Sequence, residues 1–260
     1  MKREYIGVFD SGIGGLTAVK HLIEELPNEN VVFLADTLNM PYGSKSKEQI
    51  IECSLNDFDI LNRYDLKALL IACNTADSAA RKTLQKQTSV PVLGVIEAAA
   101  REACRETKNR KIGVLATPAT VRSGKYEKAV HAIDTDIEVY SIACPELAPM
   151  IESGKTADDP EMAEILKAYL KQLKDRQIDT VILGCTHYDV LQKKVKDLLP
   201  DIHVISSSAC AIGDLKELLM KRDLLNKDCE PERIYLVTAD PERFKKTASA
   251  ILKNIEIDKA

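Results

Sequence analysis

Two stretches of the chain share one pattern: residues 68–75 read ALLIACNT, and residues 180–187 read TVILGCTH. Each is a short, β-rich apolar run that ends at a cysteine and is followed by a helical pattern. Such a run is typical of a buried strand in a parallel sheet. We therefore expect Cys73 and Cys185 to lie at the carboxyl ends of strands in two similar halves of the protein.

The two halves repeat a second strand as well. Residues 6–10 read IGVFD and residues 112–116 read IGVLA, at nearly the same separation as the two cysteines. Strand-like runs alternate with helical ones, as in a parallel sheet with helices on both faces. This predicts an α/β fold of two pseudo-symmetric domains, the first of residues 1–96 plus 207–260 and the second of residues 97–206. The predicted strands are residues 5–9, 31–35, 68–72, 92–95, 111–115, 138–141, 180–183, 203–205 and 233–237.

Helix signals are clearest at three places. Residues 46–63 begin with Ser46 and Gln49 in a capping-box pattern. Asp159 is followed by Pro160, which suits the first helical position, and then by an apolar stripe. A third helix, residues 16–25, is expected to follow a glycine-rich turn.

Composition narrows the class of protein. Lys and Arg number 36 and Asp and Glu 40, a net charge of -4 with no long run of either sign, which argues against a nucleic-acid partner. The seven cysteines show no CxxC spacing and follow no signal peptide, so reduced thiols in the cytoplasm are expected. No apolar run approaches the roughly 20 residues of a membrane-spanning helix. Five cysteines are interpreted as structural: Cys53, Cys104, Cys144, Cys210 and Cys229.

Two loops follow predicted strands, where ligands bind in open α/β sheets. In residues 10–15 (DSGIGG), free N–H groups at a helix start favour an anion, and the glycines let a ligand approach the backbone. A carboxylate is the favoured ligand. In residues 36–44 (DTLNMPYGS), the hydroxyl of Tyr42 and nearby backbone donors are placed to contact a ligand. The alternative for residues 10–15 is a tight turn, and the alternative for residues 36–44 is an ordinary surface loop.

The two cysteines are interpreted as reactive. A helix N-terminus favours a thiolate, and we expect Thr75 and Thr186 to cap the two helices, with Asp189 in a capping-box-like position. Both thiols are therefore predicted to be partly ionised. Two thiols that face each other across a cleft are suited to removing a proton from one face of a carbon and returning one to the other.

His187 is the only one of the four histidines in a candidate site, and it is placed to exchange a proton with Cys185. For any single cysteine the alternative is a small buried hydrophobic residue. A metal site is not expected, because the sequence offers no cluster of His and Cys at zinc-binding spacing.

Four motifs follow in order along the chain: GVFDSGIGGL (residues 7–16), ADT with PYG (35–37 and 41–43), IACNTA (71–76) and LGCTHY (183–188). Together they resemble the glutamate racemases of the aspartate/glutamate racemase family. The resemblance implies a cofactor-independent enzyme that interconverts L- and D-glutamate and supplies D-glutamate for peptidoglycan. It also implies an active site between two pseudo-symmetric domains, and it favours a homodimer.

The same resemblance implies roles for individual residues. Cys73 and Cys185 correspond to the two proton donor/acceptors. Asp10 is expected to assist Cys73, and His187 and Glu152 to assist Cys185. The implied substrate-binding residues are Asp10, Ser11, Tyr42, Gly43, Asn74, Thr75, Thr186 and His187.

Three places depart from the family pattern. Ala98 and Ala99 replace Pro-Gly, Asp189 replaces a proline, and residues 206–208 lack an acidic residue. None is a proton-transfer position, so the departures bear on loop geometry and specificity. Aspartate racemase is the nearest alternative with the same chemistry. A non-catalytic small-molecule binder and a thiol-redox enzyme stay open, the latter disfavoured because neither cysteine has a resolving cysteine nearby in sequence.

Overall fold

The computed structural model describes residues 3–227, 230–253 and 255–260. These residues form two parallel β-sheets flanked by helices. The strands are β1 (Tyr5–Asp10), β2 (Val31–Ala35), β3 (Leu66–Ile71), β4 (Val92–Gly94), β5 (Lys111–Ala116), β6 (Glu138–Ala143), β7 (Thr180–Gly184), β8 (His203–Ser206), β9 (Arg233–Val237) and β10 (Asp258–Lys259).

Helices connect most of the strands. They are α1 (Gly15–Glu25), α2 (Lys47–Leu61), α3 (Asn74–Gln85), α4 (Ile96–Glu106), α5 (Pro118–Ser123), α6 (Lys125–His131), α7 (Leu147–Glu152), α8 (Pro160–Asp175), α9 (Gln192–Leu198), α10 (Ser207–Lys221) and α11 (Pro241–Ala248). Two short 3₁₀-helices span Tyr42–Ser44 and Thr186–Leu191. Among the described residues, no helix is both long and apolar enough to cross a membrane.

The two sheets repeat one topology. The first has the order β10-β9-β2-β1-β3-β4, and the second has the order β6-β5-β7-β8. Strands β2-β1-β3-β4 therefore correspond one by one to β6-β5-β7-β8, and every pair is parallel. This confirms the predicted fold of two pseudo-symmetric α/β domains. Strands β9 and β10 join the first sheet, while the exact domain limits at residues 97 and 207 stay a prediction.

All nine predicted strands are present, with small differences at their ends. Strand β3 begins two residues and ends one residue before the predicted 68–72. Strand β4 ends at Gly94 because Val95 already has helical backbone and precedes α4. The two-residue strand β10 was not predicted, since both of its residues are exposed and it carries no apolar pattern.

The predicted helix starts are confirmed. The hydroxyl of Ser46 accepts a hydrogen bond from the Gln49 backbone N–H at 3.2 Å, and the Gln49 side chain accepts one from the Ser46 N–H at 3.0 Å. The Asp159 carboxylate accepts from the backbone N–H groups of Glu161 and Met162, which opens α8 with Pro160 in its first turn.

One hydrophobic core spans both domains. The faces of the two sheets that carry Ile6 and Val8 in β1, and Ile112 and Val114 in β5, belong to a single buried cluster that includes α1, α4 and α10. Each sheet packs its other face into a separate core of its own domain. Because the central strands are buried on both faces, apolar residues fill them almost continuously. The shared core holds the carboxyl ends of β3 and β7 on one cleft.

Four of the five cysteines interpreted as structural lie within the described residues, and all four are free thiols. Cys53 and Cys144 are buried, and Cys104 and Cys210 are half-buried and pack against the shared core. Cys229 lies outside the described residues.

Candidate active site

A cavity of about 380 Å³ lies between the domains at the carboxyl ends of the strands. Both Cys73, directly after Ala72 and β3, and Cys185, directly after β7, line it. The other predicted site residues that line the cavity are Ser11, Tyr42, Gly43, Asn74, Thr75, Glu152, Thr186 and His187. The structure thus brings residues that are far apart in sequence to one place.

Cys73 is a buried thiol at the start of α3. Its sulfur donates a hydrogen bond to the Ser11 hydroxyl at 3.7 Å. Burial raises the pKa of the Cys73 thiol, and the nearby charge of Asp10 raises it further. The prediction that this thiol is partly ionised is therefore wrong, because burial outweighs the backbone N–H of Ala76 at the helix start.

Thr75 does not cap α3, contrary to prediction. Cys73 itself occupies the N-cap position, and no side chain caps this helix. The Thr75 hydroxyl instead lies 2.8 Å from that of Thr117 and 3.2 Å from that of Thr120, both in the second domain. Because Thr75 is already inside the first turn, its side chain is free to join the domains.

Cys185 has a different setting. It has an extended backbone and precedes a 3₁₀-helix rather than an α-helix. The Nδ1 atom of His187 lies 3.6 Å from the Cys185 sulfur, and the Nε2 atom of His187 lies 2.6 Å from Oε1 of Glu152. Glu152 also accepts a hydrogen bond from the Ile13 backbone N–H at 2.9 Å. A carboxylate therefore orients the imidazole that touches the thiol.

His187 and Glu152 favour each other's charged forms. Burial alone would lower the pKa of His187, but its contacts with Cys185 and Glu152 raise the pKa well above its usual range. The pKa of Glu152 is lowered: burial opposes this, but the hydrogen bond and charge of His187 outweigh it. A cationic imidazole beside Cys185 is thus favoured, which is an arrangement suited to proton transfer.

Asp10 links the two halves of the site. It is completely buried, and it accepts hydrogen bonds from the Gly12 N–H and from the Thr186 hydroxyl, both at 3.0 Å. Burial raises the pKa of Asp10 to about 6, although the charge of His187 acts in the opposite direction. The prediction that Thr186 caps a helix is therefore wrong, because Cys185 occupies the N-cap position. The Thr186 hydroxyl instead donates to Asp10 across the domain boundary.

The glycine-rich turn faces the second domain rather than a ligand. A Cβ atom on Gly12 would lie 2.1 Å from Oε1 of Glu152, and one on Gly14 would lie 2.7 Å from the backbone nitrogen of His187. The N–H groups of Gly12 and Ile13 are bonded to Asp10 and Glu152. The prediction that these N–H groups are free for an anion is wrong, since protein carboxylates already use them. Of residues 10–15, only Ser11 lines the cavity.

The loop of residues 36–44 lines the cavity, but the Tyr42 hydroxyl is already engaged. It lies 2.6 Å from Oδ2 of Asp36 and 2.9 Å from Oδ2 of Asp57. Burial and the charge of Asp36 raise the pKa of Asp57 well above its usual range. The predicted contact of the Tyr42 hydroxyl with a ligand is therefore not favoured, whereas the loop backbone stays available.

The side chain of Asn74 is held by one residue of the second domain and by one at the start of α10. Its Oδ1 accepts a hydrogen bond from the Tyr126 hydroxyl at 2.5 Å, and its Nδ2 donates to the Ser207 hydroxyl at 3.1 Å. The orientation of Asn74 in the cavity is thus fixed by partners from α6 and α10.

The cavity is also lined by residues that were not predicted as site residues, among them Thr117, Cys144 and Arg243. Arg243 is the only Lys or Arg among the lining residues that the structure describes, and its positive charge helps to lower the pKa of Glu152. Its position on α11 depends on the return of the chain to the first domain, so local sequence gives no signal for it. Across the described part of the chain, no group of three or more His, Cys, Asp or Glu side chains is arranged to hold a metal ion.

The chain is similar over its whole length to racemases. The model of the family described as Asp/Glu/Hydantoin racemase matches residues 12–215. A glutamate racemase from Lactobacillus helveticus is 40% identical over 259 residues, which is 99% of this chain and 96% of that protein.

Solved structures agree with this. Glutamate racemase isoform RacE1 from Bacillus anthracis has a TM-score of 0.96 and 37% identity, covering 100% of this chain and 98% of that one. Glutamate racemase from Francisella tularensis in complex with D-glutamate has a TM-score of 0.91 and 35% identity, covering 100% and 97%.

These similarities and the two-domain fold define an amino-acid racemase, an isomerase. The chain belongs to the Asp/Glu/hydantoin racemase family, among the glutamate racemases of that family.

Proposed function

We propose that this enzyme interconverts L- and D-glutamate with two cysteines and no cofactor. The observation that carries the proposal is the placement of Cys73 and Cys185 at corresponding strand ends of two repeated domains, on one cavity. The full-length relatives support glutamate as the substrate, and one related structure contains D-glutamate.

The reaction needs a base on one face of the α-carbon and an acid on the other. One cysteine, as a thiolate, takes the α-proton, and the electron pair of the C–H bond passes to the α-carbon and its carboxylate. The other cysteine, as a thiol, gives its proton to the opposite face. Each turnover inverts the centre and exchanges the protonation states of the two sulfurs, so the reverse reaction uses the same groups in opposite roles.

The two sides of the cavity are suited to different starting states. Because burial raises the pKa of Cys73, that residue holds its proton and is ready to donate it, and its thiolate is a strong base once formed. The cationic His187 beside Cys185 suits a thiolate–imidazolium pair, with Glu152 holding the ring. An α-proton is only weakly acidic, so preorganised donors must also meet the charge that develops in the transition state.

Cavity residues outside the proton-transfer pair are proposed to hold the substrate. Ser11, the backbone at Tyr42 and Gly43, Asn74 with Thr75, and Thr186 with His187 surround the space and are proposed to bind the two carboxylates and the ammonium group. Asp10, which does not line the cavity, is proposed to act through Thr186 and on the charge state of Cys73.

The biological setting is part of the same proposal. We propose that the enzyme works in the cytoplasm as a homodimer and supplies D-glutamate for peptidoglycan. The support is that this chain belongs to the glutamate racemases. Light scattering after gel filtration tests the dimer, and growth of a D-glutamate-requiring bacterium that expresses the chain tests the role.

Circular dichroism of L- and D-glutamate solutions tests the activity. Wild-type protein without added cofactor should abolish the signal of both enantiomers, while Cys73→Ala and Cys185→Ala should leave it unchanged. Cys104→Ala, which removes a half-buried thiol outside the cavity, is the matched control and should retain activity. Turnover of aspartate in place of glutamate would overturn the substrate, and racemisation by either active-site variant would overturn the two-thiol mechanism.

A further inference from the structure

A polar contact behind the catalytic segment joins both domains. Thr17 lies in the first turns of α1, and its hydroxyl lies within 3.3 Å of three acceptors: the Gly14 carbonyl at 2.8 Å, the Thr186 carbonyl at 3.2 Å and Oδ2 of Asp189 at 3.3 Å. Thr186 is the residue next to Cys185, and Asp189 lies in the same 3₁₀-helix. A single side chain of the first domain thus contacts two residues of the 3₁₀-helix that directly follows the second thiol.

The hydrogen bonds at this contact compete. A threonine hydroxyl has one hydrogen to donate, so it cannot satisfy all three acceptors at once. A carboxylate is a stronger acceptor than a carbonyl and draws the hydrogen toward itself. The competing acceptor nearest to Thr17 is the Gly14 carbonyl of its own helix turn, so the group at position 189 decides whether the hydroxyl bonds within α1 or to the 3₁₀-helix that follows Cys185.

Asp189 also reaches the connection between the domains. Its Oδ1 and the hydroxyl of Ser208 at the start of α10 are buried, and neither has a hydrogen-bond partner among the described residues. Burial raises the pKa of Asp189 to about 6, and the nearby hydroxyls of Ser208, Ser206 and Thr17 and the charge of His21 on α1 partly oppose this rise. The charge of Asp189 in turn affects Tyr126 and Cys210. Unsatisfied buried polar atoms are costly, which indicates a role beyond packing.

We propose that Asp189 is a positioning residue that, through Thr17, fixes Cys185 and His187 against the first domain and so aligns the second thiol with the substrate. The proposal rests on the two-cysteine function proposed above. It assigns a role to a position where the family pattern has a proline, which has no side-chain acceptor.

Asp189→Ala and Thr17→Val test the contact. Each should lower kcat about tenfold with a smaller change in KM, because the cavity residues that hold the substrate remain while the thiol is misplaced. The double variant should be no worse than Asp189→Ala alone, within about twofold, because both changes remove one contact. Asp189→Asn, which can still hydrogen-bond to Thr17, should recover most of the activity, and the exposed Asp197→Ala on α9 is the control.

Isotope effects separate positioning from a loss of stability. The two enantiomers of α-deuterated glutamate should respond differently in Asp189→Ala. For the enantiomer deprotonated by Cys185, the isotope effect on kcat should rise. For the other enantiomer it should fall, because protonation by Cys185 becomes the slow step. Activity within twofold of wild type in both single variants, or an unchanged isotope effect with only a lower melting temperature, would overturn the proposal. If wild type racemises glutamate and Cys185→Ala does not in the same assay, the proposed function stands and only the role of Asp189 is overturned.

Discussion

The two thiols occupy corresponding places in a repeated fold, yet their surroundings differ. Cys73 begins an α-helix, and its sulfur contacts a serine hydroxyl. Cys185 precedes a 3₁₀-helix and contacts an imidazole that a carboxylate orients. The strand order is duplicated, but the groups around each thiol are not. The comparison shows that a repeated scaffold can give its two corresponding thiols different polar partners.

The largest effect outside the cysteines is expected at His187. His187→Gln removes the cation beside Cys185 and should lower kcat about 10²- to 10³-fold, since a positioned acid or base contributes that much. The loss should be read from initial rates in both directions. A loss of less than about threefold would mean that the imidazole does not set the proton transfer at Cys185 apart from that at Cys73.

Glu152→Gln tests the carboxylate that orients His187, one contact further from the Cys185 sulfur. Glu152 raises the pKa of His187, so its neutral replacement should lower that pKa and reduce activity about thirtyfold, with the loss growing as pH rises. The pH dependence of kcat from pH 6 to 9 measures this. Equal losses at every pH would contradict the role of the carboxylate, and Glu161→Gln, an exposed residue on α8, is the control.

Asp10→Asn tests the residue that lies between the two sides. Because the pKa of Asp10 is raised to about 6, the folded protein binds more protons than the unfolded chain between pH 4 and 6, and stability falls as pH rises through this range. The asparagine variant should therefore be more stable than wild type at pH 7.5, by about 1–3 kcal/mol, with little difference at pH 4. Activity should fall about tenfold.

Denaturant unfolding at both pH values measures this gain. A variant that is less stable than wild type at pH 7.5 would show that the hydrogen bonds from Gly12 and Thr186 outweigh the cost of the buried charge.

Ser11→Ala should have the smallest effect. Its hydroxyl contacts Cys73 at 3.7 Å, a long and weak hydrogen bond, so we expect a loss of about three- to fivefold in kcat. Steady-state rates beside those of His187→Gln give the ratio of the two sides. A Ser11 effect as large as that of His187 would mean that the two thiols are controlled alike.

Local sequence was sufficient for the strands and for the two cysteines. Apolar runs that end at Cys73 and Cys185 carry their own signal, because a strand buried on both faces needs continuous apolar residues. The capping box at Ser46 is likewise a property of four neighbouring residues. These features follow from short segments, and the structure has them where the sequence predicts them.

The wrong predictions for Thr75, Thr186 and the glycine-rich turn came from contacts between the domains. Thr75 and Thr186 look like helix caps in isolation, but their hydroxyls reach Thr117 and Asp10 across the cleft. The glycines of residues 12–14 suggest a ligand, yet they make room for Glu152 and His187. Nothing within a single segment distinguishes a partner in another domain from a helix end or a bound anion.

The central claim is that the two thiols serve opposite faces of one carbon. The most direct test is deuterium incorporation at the α-carbon in D₂O, followed by mass spectrometry, with Cys73→Ala and Cys185→Ala each given L- and D-glutamate. Each variant should exchange the α-proton of only one enantiomer, a different one for each variant, and should racemise neither. Exchange of the same enantiomer by both variants, or racemisation by either, would contradict it.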